Sequence, residues 1–413
     1  MRVLVVGSGA REHALVWKLA NSATVEKVFA VPGNPGIEQI AEIVPVDVYD
    51  FFALNDAAME RRVDLAVIGP EKPLCAGIAD FMSHTGIPVF GPVQACARIE
   101  GDKSFAKQLM VDEGIPTARY QVFTKAPEAR AYAHAEWSAG RPVVVKASGE
   151  ALGKGAVLPD SVEDACDAID AMLVRNEFGA AGETIVIEER LDGRELSLMA
   201  ICNGRDYRLL PPAEDYKKVG DDDTGRNTGG MGAVSPVDVP NLDELGEMFV
   251  RPVLERFLRD GTPYVGALYP GLMLTADGPK CLEFNCRFGD PETQAVLPRL
   301  GGDLAQTLLK AARGEELPRM IVSSDVCVAV VIASKGYPGR FEKLIPLPDL
   351  SADDVNVFYA GISELNGDIV SSGGRVLTVS ATAPTIAEAR EKAYAFAARF
   401  NDGPWHYRRD IGR

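Results

Sequence analysis

Cys281-Leu282-Glu283-Phe284-Asn285-Cys286-Arg287-Phe288-Gly289-Asp290-Pro291-Glu292-Thr293-Gln294 is the stretch on which the reading of this chain turns. As a strand, its side chains alternate between two faces. Leu282, Phe284, Cys286 and Phe288 fall on an apolar side suited to a core, and Glu283, Asn285 and Arg287 fall together on the other. A carboxylate and an amide oxygen two residues apart suit a hard cation such as Mg²⁺, which takes oxygen ligands and keeps waters and phosphates. Asp290-Pro291 predicts a helix N-cap followed by proline at the first helical position. Free N–H groups and the positive end of that helix would lie beside the same spot and favour an anion. A half-buried strand with a solvated polar face is the plainer alternative.

The composition is that of a water-exposed globular chain: 413 residues, 46% hydrophobic and 25% charged, long enough for two to four domains. A formal net charge of −16 argues against nucleic acid as a main partner. The 7 cysteines include no C-x-x-C pair, which fits reduced thiols better than a disulfide frame or a zinc site. The 4 histidines are scattered, so a histidine-rich metal centre is not expected. No apolar run reaches membrane-spanning length, and the chain opens on a strand with no charged-then-apolar signal segment. The expectation is a cytoplasmic protein without a membrane partner.

Towards the N-terminus, apolar runs end in glycine turns. The run at 3–6 leads into Gly7-Ser8-Gly9-Ala10-Arg11-Glu12-His13 and helical spacing. This resembles a dinucleotide fingerprint, but Glu12 stands at the third glycine position, and the next strand, 28–31, ends in Pro32-Gly33-Asn34-Pro35-Gly36 with no acid for a ribose hydroxyl. A nicotinamide cofactor is therefore disfavoured, and a turn able to hold a sugar phosphate is left. Further strands at 65–68 and 89–90 end in Gly69-Pro70-Glu71 and Gly91-Pro92. Strands alternating with helices predict a parallel, doubly wound domain over about 1–100. Glu71, at a strand end, is a candidate ligand contact or a turn residue.

Gly101-Asp102-Lys103 opens a helix, and from about 120 a smaller unit of strands and helices begins. The strand at 143–146 ends in Lys146 and leads into a loop, 149–155, holding three glycines and Lys154, suited to closing over phosphates. It lacks the P-loop spacing. The strand at 183–189 ends in paired acids, and Glu188 through Leu191 read either as an adenine-binding crossing or as edge-strand charges, with Glu195 in reach of a ribose. The polar stretch 215–232, ending in Gly229-Gly230-Met231-Gly232, reads as a loop without structure of its own, suited to close approach to a substrate. A last unit has strands near 327–333, 355–359 and 375–380 and a helix from about 385 to 399. It carries Gly336-Tyr337-Pro338-Gly339 and Ser371-Ser372-Gly373-Gly374-Arg375, both readable as plain turns.

In this order the pieces resemble the phosphoribosylamine–glycine ligases (glycinamide ribonucleotide synthetases) of the ATP-grasp superfamily. The resemblance rests on GSGAREHAL at 7–15, PGNPG at 32–36, GPEKPL at 69–74, GDK at 101–103 and GKG at 153–155. It continues through VGDDDTGRNTGGMGA at 219–233, LEFNCRFGDPETQ at 282–294, GYPG at 336–339 and RRDIG at 408–412. It implies an α/β and α+β multidomain fold: a Rossmann-like substrate-binding domain over 1–101, an ATP-grasp domain over 102–314 with a smaller lid at about 118–190, and a small α+β domain over 315–413. It implies ligation of glycine to 5-phosphoribosylamine with ATP through glycyl phosphate, in de novo purine synthesis, by a monomer.

On matching positions, Glu283 and Asn285 would hold Mg²⁺ or Mn²⁺. Lys103, Lys146 and Lys154 would hold ATP phosphates, Glu188 and Leu191 the adenine, and Glu195 the ribose. Arg287, with Lys154 in a catalytic role, would orient glycine or the acyl phosphate. Gly9, Arg11, Glu12, Asn34 and Glu71 would face phosphoribosylamine. Asp215, Lys217, Asn227, Gly229, Gly230, Asp290 and Glu292 complete the expected substrate contacts. The chain departs from the family pattern at Ser148, Glu150 and Leu152 in the glycine loop, at Tyr216 and Arg226 in the polar stretch, and at Lys335, Tyr359 and Ile362 near the end.

Overall fold

The computed structural model describes residues 1–149, 155–239 and 241–413. Lys154 and Glu150 lie outside them. The first unit is a five-stranded parallel sheet made of β1 (Arg2–Gly7), β2 (Lys27–Pro32), β3 (Glu42–Ile43), β4 (Leu65–Ile68) and β5 (Val89–Phe90), in the order β3-β2-β1-β4-β5. All pairs are parallel. Val3 to Val6 and Leu65 to Val67 are at most 1% exposed, as expected of strands covered on both faces. The turn after β1 leads directly into helix α1 (Ala10–Ala20).

A four-stranded antiparallel sheet follows, in the order Tyr120–Phe123, Ile185–Glu189, Val143–Ala147, Ala156–Val157. Helices Ala126–Ser138 and Val162–Leu173 pack on it through Ala129, Ala133, Ala165 and Ile169. The central sheet is built on Val265–Thr275, which pairs with Arg194–Ser197, Ala200–Asn203 and Gly278–Asn285. The last sheet runs Glu214–Asp215, Gly232–Ser235, Val326–Ser334, Arg375–Ala383, Asn356–Tyr359. The polar stretch is therefore anchored at both ends in the sheet of the C-terminal unit.

Four expectations need correction. Leu282 is not in the core: a bulge opposite Gly271 and Leu272 inserts one residue, so Cys281 and Phe284 keep the buried side and Leu282 lines a cavity. The helix after the motif starts at Glu292 with Pro291 as its N-cap, and Asp290 instead accepts a hydrogen bond from Gln294 Nε2 at 2.7 Å. The stretch 215–232 has structure of its own, a hairpin of Lys218–Gly220 and Thr224–Asn227. Finally, one of the backbone donors at the start of α1 is taken up by the chain itself. Glu12 folds back so that its Oε2 accepts from the Gly9 N–H at 2.7 Å. A β-carbon at Gly7 or Gly69 would lie 2.3 or 2.2 Å from that side chain. The glycines of the turn make room for a carboxylate the chain itself supplies.

Candidate active site

The units meet around a cavity of about 910 Å³. The N-terminal unit contributes Arg11, on α1, and Glu71, at the start of the helix Glu71–Cys75, and the antiparallel sheet contributes Val144, Lys146, Val186 and Glu188. Met273, Leu282, Glu283 and Asn285 come from the central sheet, and Tyr337 and Arg375 from the C-terminal unit. Strand alternation explains one wall. Val144 and Val186 face the space beside Lys146 and Glu188, and with Leu191, Met273 and the displaced Leu282 they make an apolar slot with charges at its edge. Such a slot suits a flat base whose rim makes hydrogen bonds.

At that edge Glu188 sits between two ammonium groups. Lys146 Nζ is 2.5 Å from Oε1 and Lys107 Nζ 2.6 Å from Oε2. Burial alone would raise the Glu188 carboxyl, but Lys146 and Lys107 outweigh it and hold the pKa below the usual value. Lys103 reaches Gly149 O at 3.2 Å, at the start of the glycine loop. Lys217 pairs with Glu195 at 2.6 Å.

Glu283 differs from these acids. Burial opposes its charge, yet Lys217, Lys146, Lys103 and Arg287 together hold its pKa down to about 2. No hydrogen bond or ion pair among the described residues ends on its carboxylate, so its oxygens face the cavity ionised and free. Asn285, two residues on, presents Oδ1 to Arg287 Nη2 at 3.0 Å. No group of three or more His, Cys, Asp or Glu able to hold a metal occurs among the described residues. A carboxylate plus an amide oxygen is a sparse donor set. It fits a cation that takes its remaining ligands from phosphates and water.

Arg287 does not stand free as a clamp. Its guanidinium donates to Glu100 Oε1 at 2.8 Å and to Asn285, and its Nε lies 3.3 Å from Glu71 Oε2. It ties the motif to the N-terminal unit. Burial would raise the Glu71 carboxyl, but Arg287 and Arg11 hold it low.

The C-terminal unit closes the far side. Arg375 donates to Gly229 O and to Asp290 O at 2.5 and 2.8 Å, and pairs with Asp290 Oδ2 at 2.9 Å. Tyr337 OH accepts from the Gly229 N–H at 3.0 Å.

Of the residues singled out from sequence, the cavity brings together Arg11, Glu71, Lys103, Lys146, Glu188, Leu191, Glu195, Asp215, Lys217, Asn227, Gly229, Glu283, Asn285, Arg287, Asp290 and Glu292. Gly9, Glu12, Asn34 and Gly230 are not on its wall. Glu12 caps α1. Asn34 is buried, with Nδ2 donating to Ser8 O and Tyr359 O and Oδ1 accepting from the N–H groups of Gly36 and Ile37. Sequence reading missed Lys107, Glu100, Tyr269, Tyr337 and Arg375. Lys107 had a legible signal, since it follows Lys103 by one helical turn on the helix Lys103–Asp112.

Comparison with known proteins agrees with this architecture. Family models for the N domain, the ATP-grasp (A) domain and the C domain of phosphoribosylglycinamide synthetase match residues 1–100, 101–293 and 327–413. The chain is 45% identical over 420 residues to a phosphoribosylamine–glycine ligase of Streptococcus pneumoniae, covering 100% of this chain and 99% of that one. It is 45% identical over 422 residues to that of Brucella melitensis, covering 100% and 97%. A crystal structure of a phosphoribosylamine–glycine ligase from Thermotoga maritima superposes with a TM-score of 0.86 at 35% identity, covering all of both chains. A biotin carboxylase domain from Hydrogenobacter thermophilus, at 16% identity and a TM-score of 0.74 over 96% of this chain and 89% of that one, shares the fold. The chain belongs to the phosphoribosylglycinamide synthetase family.

Proposed function

We propose that this protein joins glycine to 5-phosphoribosylamine with conversion of ATP to ADP and phosphate, giving glycinamide ribonucleotide for purine synthesis. The observation that supports it most is the Glu283 carboxylate, ionised, without a hydrogen bond or ion pair among the described residues, and surrounded by cationic side chains where the units meet. Glycine's carboxylate is a poor acyl donor because its leaving group would be oxide. In our reading, one of its oxygens attacks the γ-phosphorus of ATP, giving glycyl phosphate and ADP. The amine of phosphoribosylamine then attacks the acyl carbon, the C–N bond forms, phosphate leaves and the amine gives up a proton. No protein nucleophile is needed, and catalysis is positioning plus charge neutralisation.

Glu188 orients Lys146 towards the phosphates by holding its ammonium group, with Lys103 lining the same cavity, and Lys154, outside the described residues, is the further phosphate-binding lysine the family likeness implies. Leu191 and Glu195 belong to the base and ribose end. Glu283 and Asn285 would hold the divalent cation, Mg²⁺ or Mn²⁺, which when bound neutralises phosphate charge. Arg287 keeps Asn285 in place and links the motif to Glu71 and Glu100. Closure over the cavity would exclude water from an acyl phosphate. A monomer acting in the cytoplasm is the matching expectation, and no helix among the described residues is long and apolar enough to cross a membrane. The test is ADP release with Mg²⁺-ATP, glycine and phosphoribosylamine formed in situ, each omitted in turn. Turnover that requires both co-substrates supports the reading, and turnover indifferent to either overturns it.

A further inference from the structure

Two stretches that carry the family likeness, 219–233 and 408–412, lie far apart in the chain and meet in the fold. The first holds the hairpin of Lys218–Gly220 and Thr224–Asn227, which pairs with no other strand among the described residues. Strands of three and four residues on their own make a hairpin that is at best marginally stable in water. Its tip also places two successive residues other than glycine, Asp222 and Asp223, at φ of 54° and 52°, a conformation that costs energy in any residue with a β-carbon. Something outside the hairpin has to hold it.

The C-terminal segment does so. Arg408 is 1% exposed and forks onto Asp410, Nε to Oδ1 at 2.8 Å and Nη2 to Oδ2 at 2.6 Å. Its Nη1 donates into the hairpin, to Lys218 O at 3.1 Å and Asp223 Oδ1 at 2.7 Å. Asp410 Oδ2 accepts the Asp222 N–H at 2.8 Å, and Asp221 Oδ1 accepts the Arg409 N–H at 2.7 Å. His406 Nε2 donates to Val219 O at 2.6 Å. The Arg408 guanidinium lies 5.0 Å from the centre of the Tyr216 ring, and the Tyr216 OH accepts the Gly412 N–H at 3.0 Å. The segment is itself fastened to the helix Ile386–Ala397, where Arg390 donates to Ile411 O and Tyr394 OH to Arg408 O, both at 2.8 Å. Charge-assisted and bidentate bonds of this kind fix orientation as well as distance.

The hairpin and its base carry a wall of the cavity. Lys217, Lys218, Asn227 and Thr228 line it, whereas Arg408, Arg409 and Asp410 do not. Thr228 closes the base, its N–H and its hydroxyl each donating to Lys217 O at 2.8 Å. Lys217 in turn holds Glu195 at 2.6 Å and, against burial, is the strongest of the cations that keep Glu283 ionised. We propose that the segment 405–412 is a brace that fixes this hairpin, and through it Lys217 and Asn227, with Arg408 as its positioning residue. Its consequence for turnover rests on the ligase reading above. The brace touches no substrate. Lys217 neighbours both Glu195, at the ribose end in that reading, and Glu283, so a loosened hairpin is felt at the nucleotide. The contacts expected for phosphoribosylamine, Arg11 and Glu71 among them, belong to the N-terminal unit and are spared.

The test uses the full chain with Arg408→Met, Arg408→Lys and Asp221→Ala, the last removing the bond to Arg409 at the hairpin tip and nothing from the cavity wall. Amide hydrogen exchange across 216–228 is expected to quicken roughly 10- to 100-fold in Arg408→Met, the loss of charge-assisted hydrogen bonds. Arg408→Lys should recover part of that protection, since a point charge replaces the fork, and Asp221→Ala should show a rise of about threefold. The strands Val326–Ser334 and Arg375–Ala383 should keep their protection throughout. In ADP-release kinetics, the KM for ATP is expected to rise about tenfold in Arg408→Met, while that for phosphoribosylamine stays within about twofold. Unchanged hairpin exchange in Arg408→Met and Asp221→Ala, protection lost from the whole C-terminal sheet in both, or the two KM values rising alike overturns the brace. The expected exchange pattern in a chain without glycine- and amine-dependent turnover overturns the ligase reading and keeps the brace, so the two failures are told apart.

Discussion

Glu188 and Glu283 lie in one cavity, share Lys146 as a neighbour and are both held ionised against burial. They differ in where their oxygens go. Both oxygens of Glu188, 2% exposed, are closed off by Lys146 and Lys107. The oxygens of Glu283 are attracted by three lysines and an arginine yet paired with none. The lesson is that a depressed carboxylate pKa does not by itself mark a ligand site. Geometry separates an acid completed by the protein from one left for something else to complete.

Substitution should divide the pair along that line. Glu188→Ala would leave two buried ammonium groups without a counter-ion. Breaking a buried pair from one side costs about 3–5 kcal/mol, so a large fall in the denaturant midpoint is expected, with ATP binding weakened through a misplaced Lys146. Calorimetric or chemical unfolding of the variant checks it. A midpoint within error of the unaltered chain would mean that the two lysines are compensated in some other way. Glu283→Gln should shift the balance. Folding should be weakened far less than in Glu188→Ala, since no hydrogen bond or ion pair among the described residues ends on that carboxylate and only its longer-range attraction to the surrounding cations is lost, while turnover falls about 10²–10³-fold, as for loss of an electrostatic group at a reacting phosphoryl. A variant that keeps its rate would break the comparison.

Arg375 comes next in expected size. Its fork joins Gly229 and Asp290, so the C-terminal unit holds the glycine turn 229–232 in place. Lysine offers one point charge and not a planar fork. Arg375→Lys is expected to lower kcat/KM by about tenfold with the melting temperature nearly unchanged, checked by steady-state kinetics beside a thermal scan.

That residue also shows where sequence reading stops. Four strands of the first sheet were legible because each is a short apolar run closed by a glycine turn, whereas the two-residue edge strand Glu42–Ile43 carries no such pattern and was missed; Glu283 and Asn285 were legible because alternation survives next to the bulge. Leu282 was misread because a bulge depends on the partner strand, which local pattern does not contain. Gly7 and Gly9 were read as a cradle for a phosphate because glycine signals that something approaches closely, not what it is. Here it is Glu12. Arg375 and Tyr337 looked like parts of plain turns because their partners, Gly229 and Asp290, lie some distance back in the chain and meet them only after the C-terminal sheet forms.

A last prediction, read in stability and not in rate, tests how the first and last units are held together. His13, on α1, is buried against Phe358 and Tyr359, with ring centroids 5.7 and 5.5 Å away, and its Nδ1 accepts the Tyr359 N–H at 2.9 Å. Accepting there requires the neutral ring, and burial lowers the pKa to about 4 from an ordinary value of 6.5. Between those two values the unfolded chain binds a proton that the folded one does not. The contribution of His13 to stability is therefore complete above about pH 6.5 and is lost as pH falls towards 4, with a limiting slope of about 1.4 kcal/mol per pH unit. Comparing urea midpoints at pH 7 and pH 5 should show this loss, and His13→Asn should remove that part of the slope while lowering stability at pH 7. An unchanged slope in the variant would mean that the ring is not held neutral, and that Asn34, through its bonds to Ser8 and Tyr359, carries the junction alone.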